Sequence, residues 1–108
     1  MDTIVKEVSD TLKVTEKQVK VVLELLENGA TIPFIARYRK DKTGNLDEES
    51  IRKIEEVYNY QVNLLKRKED VIRLIDEKDL LTDKIKTEVM NASKLVEVED
   101  LYLSLIHI

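Results

Sequence analysis

The chain has 108 residues, 37% of them charged, a formal net charge of -4 and no cysteine; this suits one domain with one modest core and excludes disulfides and thiolate chemistry. Two glycines and one proline leave little turn chemistry for a sheet-rich fold, so helices are favoured. The negative balance offers no general attraction to polyanions, and any cationic surface must be local.

Charged side chains stand where a signal peptide would hold its apolar run, and no stretch has the apolar length needed to cross a bilayer. A cytoplasmic protein without a membrane segment is therefore expected. Ile4, Val8 and Leu12 recur every four residues with Val5 beside them, which predicts a first helix over residues 3–12.

The next helix start is more sharply specified. Thr15 followed by Gln18 has the spacing of a capping box, and Val14 and Val19 occupy the two positions of a hydrophobic staple. Val19, Val22, Leu23 and Leu26 then form one stripe, until Asn28 and Gly29 close the helix.

Residues 30–40 read as a third, short helix capped by Thr31, with Pro33 in the first turn, where a missing amide hydrogen leaves no internal bond unmade. Phe34, Ile35 and Tyr38 can face inward. Arg37, Arg39, Lys40 and Lys42 fill the last turn and the residues just beyond it. Two readings of these four cations stand side by side. They stabilise the negative end of a helix dipole, or they contact the phosphates of a nucleic acid. The short connection through Asn28 and Gly29 makes residues 1–45 a helix-turn-helix-like portion.

From Asp47 to Lys78 nothing stops a helix. Asp47 is the expected cap, Leu46 and Ile51 form a second staple, and Glu48 and Glu49 suit the first turn. Ile51, Tyr58, Leu65 and Ile72 recur every seven residues, with Val57, Leu64 and Val71 beside them, while Gln61 and Lys68 interrupt the row of Ile54 and Ile75. A helix of about 32 residues would reach about 48 Å, longer than a small globule is wide. Part of it should then project or await a cover from elsewhere. Leu64, Leu65, Val71 and Ile72 are the candidates for such an interdomain contact. Lys66, Arg67 and Lys68, followed by Glu69 and Asp70, read as a solvated face. Tyr60 points away from the seam.

Thr82 caps a fifth predicted helix carrying Ile85, Val89 and Ala92, and Ser93 caps a last one carrying Leu95, Val98, Leu101 and Tyr102. The expected class is all-α, with short helices around one long helix of about 30 residues. The chain divides into residues 1–45, the long helix over 46–80, two short helices over 81–103 and a suspect apolar tail over 104–108.

Catalytic chemistry finds no footing in this pattern. His107 is the single histidine, so no histidine-based metal set or nucleophilic triad can be assembled. Glu55 with Glu56, Asp76 with Glu77 and Asp79, and Glu97 with Glu99 and Asp100 read as surface charge. Gly29 and Gly44 are isolated and precede no Lys-Ser or Lys-Thr pair, so there is no phosphate loop. No enzyme activity, cofactor or metal is expected.

Residues 29–44, Gly-Ala-Thr-Ile-Pro-Phe-Ile-Ala-Arg-Tyr-Arg-Lys-Asp-Lys-Thr-Gly, followed by Asp47-Glu48 and the long helix, resemble the N-terminal helical region of the Tex family of bacterial transcription accessory proteins, which carry an S1 RNA-binding domain. Residues 98–103, Val-Glu-Asp-Leu-Tyr-Leu, are similar to a second, shorter piece of that region. The resemblance covers roughly residues 3–103. It implies the front end of a large, mostly helical cytoplasmic protein whose C-terminal domains hold DNA or RNA. This segment would then be a non-catalytic scaffold whose own nucleic-acid contact is weak or absent, with Arg37, Arg39, Lys40 and Lys42 at most assisting. The alternative is a protein-interaction module that docks a partner chain or its own missing C-terminal domains. Family members continue after Leu103 with a proline and a basic stretch, so residues 104–108 are expected not to be native.

Overall fold

The computed structural model describes residues 2–106, which form seven α-helices: α1 Asp2–Leu12, α2 Glu16–Glu27, α3 Ile32–Tyr38, α4 Lys40–Thr43, α5 Glu48–Glu77, α6 Asp83–Asn91 and α7 Leu95–Ile106. They fall into two compact units, Met1–Gln61 and Val62–Ile108. The unbroken α5, about 45 Å long at 1.5 Å per residue, contributes residues to both. The all-α class holds, and α2, its turn and α3 form the helix-turn-helix-like arrangement of the N-terminal portion.

The helix starts follow the capping chemistry of the sequence. In the α2 box the Gln18 amide donates to the Thr15 hydroxyl oxygen at 3.1 Å, and the Thr15 amide donates to Gln18 Oε1 at 2.9 Å. Thr31 accepts from the Phe34 amide, Asp47 from the Ser50 amide at 2.7 Å and Thr82 from the Ile85 amide. Each bond satisfies an amide that has no carbonyl partner within its own helix.

Four helix ends use one device. The amides of Val14, Ala30, Asn45 and Leu80 donate to the carbonyls of Ser9, Leu25, Lys40 and Ile75, each five residues back. The residue between, Lys13, Gly29, Gly44 or Asp79, takes a positive φ. This is the Schellman closure, which requires one left-handed residue.

In the first unit the fully buried side chains are Val8, Val19, Val22, Ile35, Thr43, Ile51 and Ile54, and α2 packs on α1, α3 and α4. In the second, Leu64, Val71, Ile75, Val89, Ala92 and Val98 form one cluster, with Ile72, Ile85, Leu101 and Tyr102 packed against it. Burying a Val or Ile fully contributes about 1.5–3 kcal/mol. The expectation of a single core is thereby corrected. A helix as long as α5 carries enough apolar stripe to furnish two, Ile51 and Ile54 serving one and Leu64, Val71 and Ile75 the other.

Other expectations change as well. The helix predicted over residues 30–40 ends at Tyr38, and Arg39, with φ -127° and ψ 29°, starts the separate single turn of α4. Phe34 and Tyr38 do not face inward: they are 40% and 57% exposed, because two turns of helix offer one inward face and Ile35 fills it. The last helix begins one residue later than a Ser93 cap would give. The Lys94 carbonyl accepts its first bond, and Glu97 reaches back to the Ser93 amide. Residues 104–106, assigned to the tail, continue α7, while His107 and Ile108 lie outside the described residues. No helix among the described residues is long and apolar enough to cross a membrane.

Candidate functional site

The cationic cluster of the first unit is built by the break between α3 and α4. Because the chain turns at Arg39, the guanidinium of that residue folds back over the Phe34 ring, with Cζ 4.9 Å from the centroid, and Nη1 donates to the Tyr38 carbonyl at 3.0 Å. Arg39 is thus half-buried and fixed, whereas Arg37, Lys40 and Lys42 are exposed. Among the described residues, none of the four forms an ion pair with a carboxylate.

Phe34 and Tyr38 lie one helical turn apart, their ring centroids 5.2 Å apart and their planes inclined by 49°. Two shallow grooves meet at Phe34. One runs past Leu25, Gly29 and Thr31 to Arg39; the other carries Pro33, Arg37, Tyr38, Lys40 and Glu48. Glu48, the carboxylate on the second groove, is held by Arg52 Nη2 at 3.1 Å. Exposed rings and cations therefore share one surface, a juxtaposition that a helix over residues 30–40 with inward aromatics would not give.

Beneath this surface Gln18 does a second task that the capping pattern did not reveal. Its Nε2 donates to the Thr43 carbonyl at 3.0 Å, while the buried Thr43 hydroxyl oxygen accepts from the Leu46 amide at 3.3 Å. The Lys-Thr-Gly turn is accordingly a structural clasp that fixes where Lys40 and Lys42 emerge.

The second basic cluster is not the solvated face its alternating charges suggested. Arg67 makes a forked bond to Glu99 of α7, Nη2 to Oε2 at 3.1 Å and Nε to Oε1, and its Cζ lies 5.4 Å from the Tyr102 ring centroid. That pairing raises the Arg67 pKa and lowers the Glu99 pKa, the hydrogen bond between them being the largest cause of both shifts. Lys68 is buried, and its Nζ donates to the Met90 carbonyl at 2.9 Å, at the negative end of α6. A separation of 32 residues, as between Arg67 and Glu99, leaves no trace in local periodicity.

Of the four seam residues expected to make an interdomain contact, Leu64 and Val71 are buried inside the second unit's own cluster, Ile72 packs against it and Leu65 is half-buried. On α5 the intervening residues Ile54, Lys68 and Ile75 are buried along with Leu64 and Val71, whereas Leu65 and Ile72 are only partly buried. The exposed apolar side chains of this unit include Val96, 67% exposed, and Leu103, 45% exposed, seven residues apart on α7. A groove between α6 and α7 is lined by Glu88, Asn91, Glu97 and Asp100. Among the described residues no group of three or more His, Cys, Asp or Glu is placed to hold a metal ion.

Residues 2–76 match the model of the Tex-like protein N-terminal domain. The chain is 50% identical over 97 residues to the uncharacterized protein YdcI of Bacillus subtilis, covering 90% of this chain and 14% of that protein. It is 40% identical over 100 residues to the transcriptional accessory protein Tex of Neisseria gonorrhoeae, covering 93% of this chain and 13% of that one. A more distant relative is the human S1 RNA-binding domain-containing protein 1, 27% identical over 78 residues, with 72% of this chain and 8% of that protein aligned. The chain thus spans 14% or less of the length of these curated relatives.

Proposed function

This chain belongs to the family of Tex-like protein N-terminal domains, and from that membership we propose that it is the non-catalytic scaffold segment of a transcription accessory protein that holds DNA or RNA. In this reading it works in the cytoplasm, and its own contribution to nucleic-acid contact comes from Arg37, Arg39, Lys40 and Lys42. The observation that carries the reading is their arrangement: Arg37 on α3, Lys40 and Lys42 on α4 and Arg39 at the break between them, in a chain whose formal net charge is -4, none spent on a carboxylate among the described residues. Backbone phosphates bind such groups through charge and counterion release, with no requirement for base sequence.

Anisotropy titrations of labelled oligonucleotides with this chain, at low and moderate salt, test it. Weak, salt-sensitive and sequence-independent binding is expected, lost when all four residues are changed to Gln. Binding that survives the fourfold change would remove these residues from the interface.

A second reading is favoured by the exposed Val96 and Leu103 on α7. Exposed apolar side chains suit docking of a protein surface, either a partner chain or further domains of a longer protein, here with the exposed Asp100 between them. Since Leu64 and Val71 are buried, α7 is the better seat for that contact. Light scattering of the chain and of a Val96→Ser, Leu103→Ser variant tests self-association. Pull-down by the remaining domains of a full-length relative tests docking.

A further inference from the structure

We infer that residues 55–63 of α5 form a hinge, a stretch of helix held by neither core that opens and recloses while both units stay folded.

Full burial along α5 stops at Ile54 and resumes at Leu64, and no residue between them is buried. The gap amounts to about two and a half turns of helix. The division between the two compact units falls inside it, after Gln61. A buried side chain ties its turn to the unfolding of a whole core, whereas a turn without one can open by itself.

The sequence weakens the same stretch. Val57, Tyr58, Asn59, Tyr60, Val62 and Asn63 are β-branched, aromatic or amide residues, which favour a helix less than the Glu, Lys, Arg and Leu residues on either side. Side-chain pairing divides in the same way. Glu48 with Arg52 and Glu49 with Lys53 brace the beginning of α5, while Asp70 and Glu77 with Arg73 brace its end. Glu55 and Glu56 have Asn59 and Tyr60 four residues on, where a cation would be needed, and among the described residues neither forms an ion pair. Absent core, low propensity and missing ion pairs thus coincide on one segment. Its opening would let the cations of the first unit and the exposed Val96 and Leu103 of the second engage separately, without strain on either core.

Hydrogen exchange of the intact chain, read by mass spectrometry, tests the opening. After correction for intrinsic rates, amides of the stretch should exchange faster than those around Ile51 and Ile54 and those around Val71 and Ile75. Asn59 and Asn63 are exposed, so changing both to alanine (Asn59→Ala with Asn63→Ala) disturbs no core. The double change should slow exchange in the stretch about tenfold, with little effect on either core. Movement is read separately. The chain contains no cysteine, so nitroxides attached through Lys17→Cys on α2 and Lys84→Cys on α6 are unique labels. Their distance distribution should be broad and should narrow with the double alanine change. Circular dichroism checks that the helices persist in every variant.

Exchange in the stretch as slow as in both cores would overturn the hinge. So would rapid exchange with one narrow distance, which would mean opening without movement. A double alanine change that slowed all three regions alike would show α5 opening only together with the cores, and would also overturn it.

Discussion

Gln18 and Thr43 are joined across α2 and α4: the Gln18 Nε2 donates to the Thr43 carbonyl at 3.0 Å while the Oε1 of the same amide accepts from Thr15 at 2.9 Å. One side chain thus closes a capping box and pins the turn that follows the cationic cluster. Gln18→Glu retains the acceptor but loses the donor. It should lower stability by about 1–2 kcal/mol, and Gln18→Ala, which loses both, should cost more. Urea unfolding followed by circular dichroism measures both.

Gly44 stands at φ 72°, and a Cβ added there would lie 2.9 Å from Gln18 Nε2. Gly44→Ala should destabilise through backbone strain and through displacement of that amide. In a Gln18→Ala background only the strain remains. A double-mutant cycle should therefore give a smaller penalty for Gly44→Ala in the second background, and strict additivity would contradict the contact.

Lys68 is buried within the row of Ile54 and Ile75, its ammonium bonded to the Met90 carbonyl at 2.9 Å. Lys68→Met keeps the apolar stem and removes the donor. A loss of about 1–2 kcal/mol is expected, against about 0.5 kcal/mol or less for Lys66→Met at an exposed position. Parallel urea titrations distinguish the two.

Two carboxylates give a pH dependence of known sign. The Arg67 hydrogen bond holds Glu99 below its ordinary value of 4.5, and the bonds from Ser50 hold Asp47 below 3.8. Folded values below unfolded ones mean that the folded state favours the ionised form. Their contribution is fully present above those ordinary values and is lost as the pH falls through the lower folded ones. Glu99→Gln and Asp47→Asn should flatten the acid limb of a stability curve measured between pH 2 and pH 7, most clearly at low salt, since both sites are solvent-accessible. A limb unchanged in both variants would remove the assignment.

Local chemistry made most helix starts legible: Thr15, Thr31, Asp47 and Thr82 each declare themselves within four residues of what they cap. The buried stripe of α5 was readable too, although its centre was not. Periodicity placed Leu64 and Val71 beside Leu65 and Ile72 on the seam and read Lys68 as an interruption, whereas Lys68 is buried and bonded to a carbonyl 22 residues away. Likewise nothing near Arg67 announces Glu99. In the candidate site the four cations were evident from sequence, but the outward rings were not. Phe34 and Tyr38 fit an inward stripe as well as Ile35 does, and only the packing of a two-turn helix decides which of them the core admits.

Half of the four Schellman closures are made without glycine, at Lys13 with φ 57° and Asp79 with φ 58°. A side chain at such a position crowds its own backbone, at about 1 kcal/mol relative to glycine. Lys13→Gly and Asp79→Gly should consequently raise the melting temperature. Neither residue lines the grooves beside Phe34 or the groove between α6 and α7, so the protein has headroom for hardening outside those grooves.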